Sequence, residues 1–113
     1  MAPLKHVTLT TMTNLSKKDL TIKEFQKIIY DRYYQIDSVR GIAKTFLWLS
    51  EEYGELATDL AKLEEGQINR ESLASEFADV IGWLTTLANL AGIDLETALH
   101  QKYLDKNVPQ DPK

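Results

Sequence analysis

Apolar residues recur three and four positions apart in four successive stretches of this chain, and nowhere do they alternate as a strand requires. Thr21 followed by Glu24 makes a capping box, after which Ile22, Phe25, Ile28, Ile29 and Ile36 predict a first helix reaching Asp37. A break through Asp37, Ser38 and Gly41 precedes the second pattern, Ile42, Phe46, Leu49, Leu56, Leu60 and Leu63, which Gly66 is placed to stop. Asn69 can cap a third helix whose apolar face runs from Leu73 through Phe77, Val80 and Leu84 to Ala91, with Gly92 as its stop. Asp94 opens a short fourth through Leu95, Ala98, Leu99 and Tyr103, ahead of Pro109 and Pro112. The reading is an all-α fold of four helices without internal repeat.

At 113 residues the chain makes one domain, and five Gly and three Pro leave few places for long loops. Residues 1–20 carry no convincing period and read as a loose N-terminal arm, 21–107 as the helical domain, and 108–113 as an extended tail. A net charge of −4 argues against a surface for nucleic-acid polymers, which concentrate Lys and Arg to displace counterions. The absence of Cys excludes disulfides, thiolate metal sites and cysteine nucleophiles, and suits a reducing compartment. With neither a signal peptide nor a stretch approaching the roughly 20 apolar residues of a membrane span, the sequence reads as cytoplasmic, with no membrane partner.

Two carboxylate pairs at i, i+3 spacing carry the chemistry: Glu52 with Glu55 on the second helix, Glu76 with Asp79 on the third. A helix turns about 100° and rises about 1.5 Å per residue, so each pair projects from one side, and two such helices face to face form a cage of oxygens. Hard divalent cations such as Mg2+ and Mn2+ choose oxygen ligands of that kind. Isolated pairs of this spacing are common on solvated helix faces, but the wheel argues against that here. About 100° per residue places Glu76 inside the apolar arc beside Val80, Trp83 and Leu87, with Asp79 at its edge. Glu52 lies against the stripe of Leu49, Leu56 and Leu63, with Glu55, Asp59 and Trp48 on the adjoining strip. Partly desolvated like charges need compensation, either from a cation or from a basic side chain such as Lys44, Lys62 or Lys102. Gly54 and Gly82, mid-helix, suggest close approach of another helix or a ligand.

Glu51-Glu52-Tyr53-Gly54-Glu55 followed by Glu76-Phe77-Ala78-Asp79 resembles the EExxE and ExxD signature of the MazG-like nucleoside triphosphate pyrophosphohydrolases. The resemblance extends from about Thr21 to Asn107 and takes in Thr45-Phe46-Leu47-Trp48-Leu49 and the turn Gly92-Ile93-Asp94. It implies a helical bundle, completed as a homodimer or homotetramer, that hydrolyses a nucleoside triphosphate to monophosphate and pyrophosphate with Mg2+, Mn2+ being an alternative. On that resemblance Glu52, Glu55, Glu76 and Asp79 are metal ligands and Lys102 meets the phosphates. The chain departs from the family pattern at Asp105-Lys106-Asn107, where an Asn with a following Arg often stands and no Arg follows here.

Glu51, about 100° around the helix from Glu52, is a candidate for orienting the attacking water or supporting the ligands, its alternative being plain surface Glu. Trp48 and Trp83 are candidates for stacking on a base, with core packing the alternative for each, and Asn107 for contacting substrate. A rival reading is a non-catalytic helical module that binds a nucleotide, a metal or another protein; the altered C-terminal end keeps it open. A di-iron carboxylate site is excluded, because no Glu-x-x-His occurs.

Overall fold

The computed structural model describes residues 19–67 and 69–105. All its regular elements are helical: α1 Ile22–Arg40, α2 Ile42–Glu64, α3 Arg70–Ala91 and α4 Leu95–Leu99, which runs on into a π-helical turn, His100–Leu104. The all-α expectation therefore holds. Of the expected arm and tail, residues 1–18 and 108–113 lie outside the described residues, as does Asn107.

Local chemistry sets most helix ends where the sequence places them. Thr21 Oγ1 accepts from the Glu24 N–H while Glu24 Oε1 accepts from the Thr21 N–H, at 3.0 and 2.8 Å. Asn69 Oδ1 accepts from the N–H groups of Glu71 and Ser72, and Asp94 Oδ1 from that of Thr97. At the far end of α3 the Ile93 N–H reaches Ala88 O and the Gly92 N–H reaches Asn89 O, with Gly92 left-handed at φ 71°.

Three expectations are corrected. The first helix does not break at Asp37 but continues to Arg40, because Asp37 and Arg40 pair at i, i+3 and Ser38 Oγ donates to Gln35 O, keeping the last turn wound. Gly41 alone makes the corner, at φ 86° and ψ 170°, a region essentially closed to residues with a Cβ. The fourth helix changes register: the Asp105 N–H bonds to His100 O, five residues back, so apolar spacing survives while the α-helical ladder does not. Finally, a Cβ built on Gly54 or Gly82 meets nothing within 4 Å, so neither glycine serves a close approach within the chain.

α3 lies at the centre, packed along α2 and, on another side, along α1, while α1 and α2 meet little beyond their shared corner. Both neighbours run antiparallel to α3. Gln26 of α1 bonds to Asn89 near the end of α3 while Arg40 lies beside Trp83, and Trp48 of α2 meets Trp83 while Glu52 meets Glu76. The small α4 is tied to the start of α1, where Gln26 Oε1 accepts from the Leu95 N–H and Glu96 Oε1 from the Lys23 N–H. The innermost side chains are Leu49, Thr45 and Thr85. Large apolar residues remain outside: Ile36, Val39, Phe46 and Leu47 are each more than half exposed. No helix among the described residues is long and apolar enough to cross a membrane.

Candidate metal centre

The Asn69 cap fixes the start of α3 and so places Glu76 two turns in, on the side that α2 covers. Glu52, nearly three turns into α2, comes opposite. One carboxylate oxygen from each of Glu52, Glu76 and Asp79 lies within 4.8 Å of the others. Glu52 and Glu76 are half-buried and Asp79 is exposed, so the group opens to solvent on one side. Glu76 Oε1 is sealed from solvent and accepts no hydrogen bond, the one such side-chain oxygen or nitrogen among the described residues. An orphaned buried acceptor of this kind costs free energy unless something outside the chain satisfies it.

Electrostatics point the same way. Burial first, then the neighbouring charges of Glu55, Glu76, Asp79 and Glu51, raises the Glu52 carboxyl above its ordinary value of 4.5. Glu76 is raised by burial and then by Glu55, Asp59 and Asp79. No Lys or Arg among the described residues forms an ion pair with any of the three. Lys44 instead lies over the Trp48 ring at 5.7 Å. An all-oxygen donor set, a sealed unpartnered oxygen and uncompensated like charge together fit a hard divalent cation.

A family model for the MazG nucleotide pyrophosphohydrolase domain matches residues 40–113. The chain belongs to this family. The MazG match covers all of α2 and α3, and hence both acidic pairs, but only the last residue of α1. No curated protein matches the chain.

The remaining residues expected in the MazG site are distributed unequally. Glu55 is not in the close group of three; it lines a groove of about 460 Å³ with Glu51, Thr58, Asp59 and Glu76, while its charge still acts on both Glu52 and Glu76. Glu76 borders both regions. Glu51 faces this groove rather than the three-carboxylate group. Lys102 is exposed on the π turn, beyond the end of α3 that carries Gly92, whereas Asp79 lies thirteen residues earlier, about 20 Å along the axis. Among the described residues Lys102 forms no ion pair with the acidic group. Trp48 and Trp83 come together at 5.6 Å, nearly perpendicular, and both rings face Arg40, whose guanidinium carbon is 4.9 and 5.1 Å from their centres.

Arg40 and Asp37 are the polar residues that the sequence reading passed over. Their side chains are only 10% and 7% exposed, and they form an ion pair beside Asp79, with the Arg40 Nε–H donating to Thr45 Oγ1 at 2.9 Å. The available signal was an opposite-charge pair at i, i+3 directly before a glycine. Its position against α3 depends on tertiary packing, which helical periodicity does not specify.

Proposed function

We propose that the chain is a Mg2+-dependent pyrophosphohydrolase that converts a nucleoside or deoxynucleoside triphosphate to its monophosphate and pyrophosphate. The observation that carries this reading is the convergence of Glu52, Glu76 and Asp79, with Glu76 also bearing a buried unpartnered oxygen, within the segment that matches the MazG domain. Those three residues would hold the cation, with Glu55 supporting from the groove side of Glu76. A bound divalent cation supplies neutralisation of charge on the phosphate oxygens. Glu51 would orient a water for attack on the α-phosphorus from the groove it lines with Glu55. Mn2+ is an alternative ion, since oxygen ligands suit both.

Assembly of two or four copies belongs to the same proposal. Exposed Ile36, Val39, Phe46 and Leu47 support it, because large apolar side chains left outside the core are of the kind that subunit contacts cover. A second copy would also be able to bring a Lys102 to the phosphates, since no ion pair ties Lys102 to the acidic group among the described residues.

Purified protein incubated with ribo- and deoxynucleoside triphosphates, with Mg2+ or with chelator, tests the reaction. Monophosphate and pyrophosphate formed only with the metal are expected. Diphosphate and orthophosphate as products, or the same products in chelator, would overturn it.

A further inference from the structure

A cleft of about 450 Å³ lies between α1 and α3, immediately beside the acidic group, with Asp79 on its rim. Its volume is that of an ordinary small-molecule site. Phe25, Ile29, Tyr33 and Trp83 give it apolar and aromatic walls, and Asp37 and Arg40 supply its polar groups. Within that pair the hydrogen-bonding capacity is only partly used. Asp37 Oδ1 accepts from Arg40 Nη2, but Oδ2 accepts from no described residue. Arg40 commits Nε to Thr45 and Nη2 to Asp37, and its Nη1 group makes no hydrogen bond among the described residues. The two residues are thus nine-tenths buried, mutually neutralised, and left with one free acceptor and a free donor group.

We infer that this cleft receives the base of the nucleotide, and that Asp37 and Arg40 select a base bearing an amino group beside an unprotonated ring nitrogen, as in cytosine or adenine. The inference rests on the nucleotide reading of the acidic group. A neutral, planar end suits the cleft and a phosphate does not, because Asp37 and Asp79 would both repel it. The phosphates go to the carboxylate side, where a cation offsets their charge, and the base end is left facing α1. An amino N–H donates to Asp37 Oδ2 while Arg40 donates to the adjacent ring nitrogen. Uracil and thymine present a carbonyl oxygen where the amino group stands, which brings lone pairs against a carboxylate.

Free nucleosides separate this assignment from the hydrolysis reaction, since they need neither metal nor phosphates. Full-length isotopically labelled protein is titrated in chelator with deoxycytidine, deoxyadenosine, deoxyuridine and thymidine, and amide shifts around Arg40, Gly82 and Trp83 are followed. The first two are expected to bind about tenfold or more tightly than the last two, the discrimination of a good paired contact. Asp37→Asn should erase that preference. Because that variant disturbs a buried ion pair, Gly82→Leu serves as the second: Gly82 lines the cleft and a Cβ there meets nothing within 4 Å. It should retain wild-type helicity while losing nucleoside binding. Absence of nucleoside binding, equal affinity for all four, or undiminished binding in Gly82→Leu overturns the assignment whatever the hydrolysis assay gives. Amino-selective binding without triphosphate hydrolysis sinks the reaction and leaves the cleft.

Discussion

Glu76 is where the physical conflict in this molecule concentrates, since one of its oxygens is sealed without a partner and its charge has only like neighbours. Replacing it by Gln removes the repulsion and the ligand together. Glu76→Gln should therefore melt at a higher temperature than wild type in chelator, yet lose the rise in melting temperature that Mg2+ is expected to give wild type. Its hydrolytic rate should fall by more than the roughly 10- to 100-fold that supporting partners of a metal site cost. Calorimetry with and without metal, beside the product assay, reads all three. Glu52→Gln should behave alike.

Acidity acts on these carboxyls in a defined direction. Folding raises the Glu52 and Glu76 values above 4.5, so the metal-free folded state binds protons more readily than the unfolded chain. Their contribution to stability is fully present below 4.5 and is lost as pH rises through the raised values. Asp94 runs the other way: hydrogen bonds from the Thr97 N–H lower it from 3.8, so its contribution is present above 3.8 and is lost as pH falls through the lowered value. Melting temperature against pH in chelator should show the Glu52/Glu76 component vanish in the double Gln variant, and cation affinity should weaken on acidification because only the carboxylates coordinate.

Spacing and wheel position single out four carboxylates, Glu52, Glu55, Glu76 and Asp79, since both depend only on helix geometry, and three of the four come close together. Glu55 was legible as acidic and helical but not in its allegiance. Three residues on from Glu52 it diverges by about 60° around α2, enough for the α2–α3 packing to send it to the groove. Asp37 and Arg40 escaped notice because their meaning comes from α1 lying on α3.

At the scale of elements, helix starts were readable because caps are local hydrogen-bond chemistry, as at Thr21, Asn69 and Asp94. The π turn was not, because apolar spacing of three and four is shared by ladders of different register. Gly41 joins two long helices alone, in a conformation that costs other residues about 1 to 3 kcal/mol. Gly41→Ala should lower stability by that amount in chemical denaturation, with retained helicity. Gly54→Ala should do the reverse. Nothing occupies the space a methyl would take, and a mid-helix glycine costs about 1 kcal/mol against alanine.

At the scale of the whole molecule, many large apolar side chains among the described residues stay uncovered, Val39 at 88% exposed being the extreme. Sedimentation at micromolar concentration should return a dimer or tetramer. Val39→Lys and Phe46→Lys together should shift it toward monomer and reduce hydrolysis if the partner subunit's Lys102 completes the site. A wild-type monomer with full activity would refute this arrangement.

Asp79, on the rim of the cleft, and Gly82 and Trp83, in its wall, stand within four residues of one another on α3. Under the proposed assignment one rigid rod would work as a ruler between the charged and neutral ends of the ligand, with spacing set by helix pitch and not by loop geometry. A single residue inserted between Asp79 and Gly82 would rotate everything beyond it by about 100° and advance it by about 1.5 Å. Such a change would turn Gly82 and Trp83 away from Asp37 and Arg40 while Glu76 and Asp79 kept their place, so the grip on the charged end would outlast the grip on the neutral one.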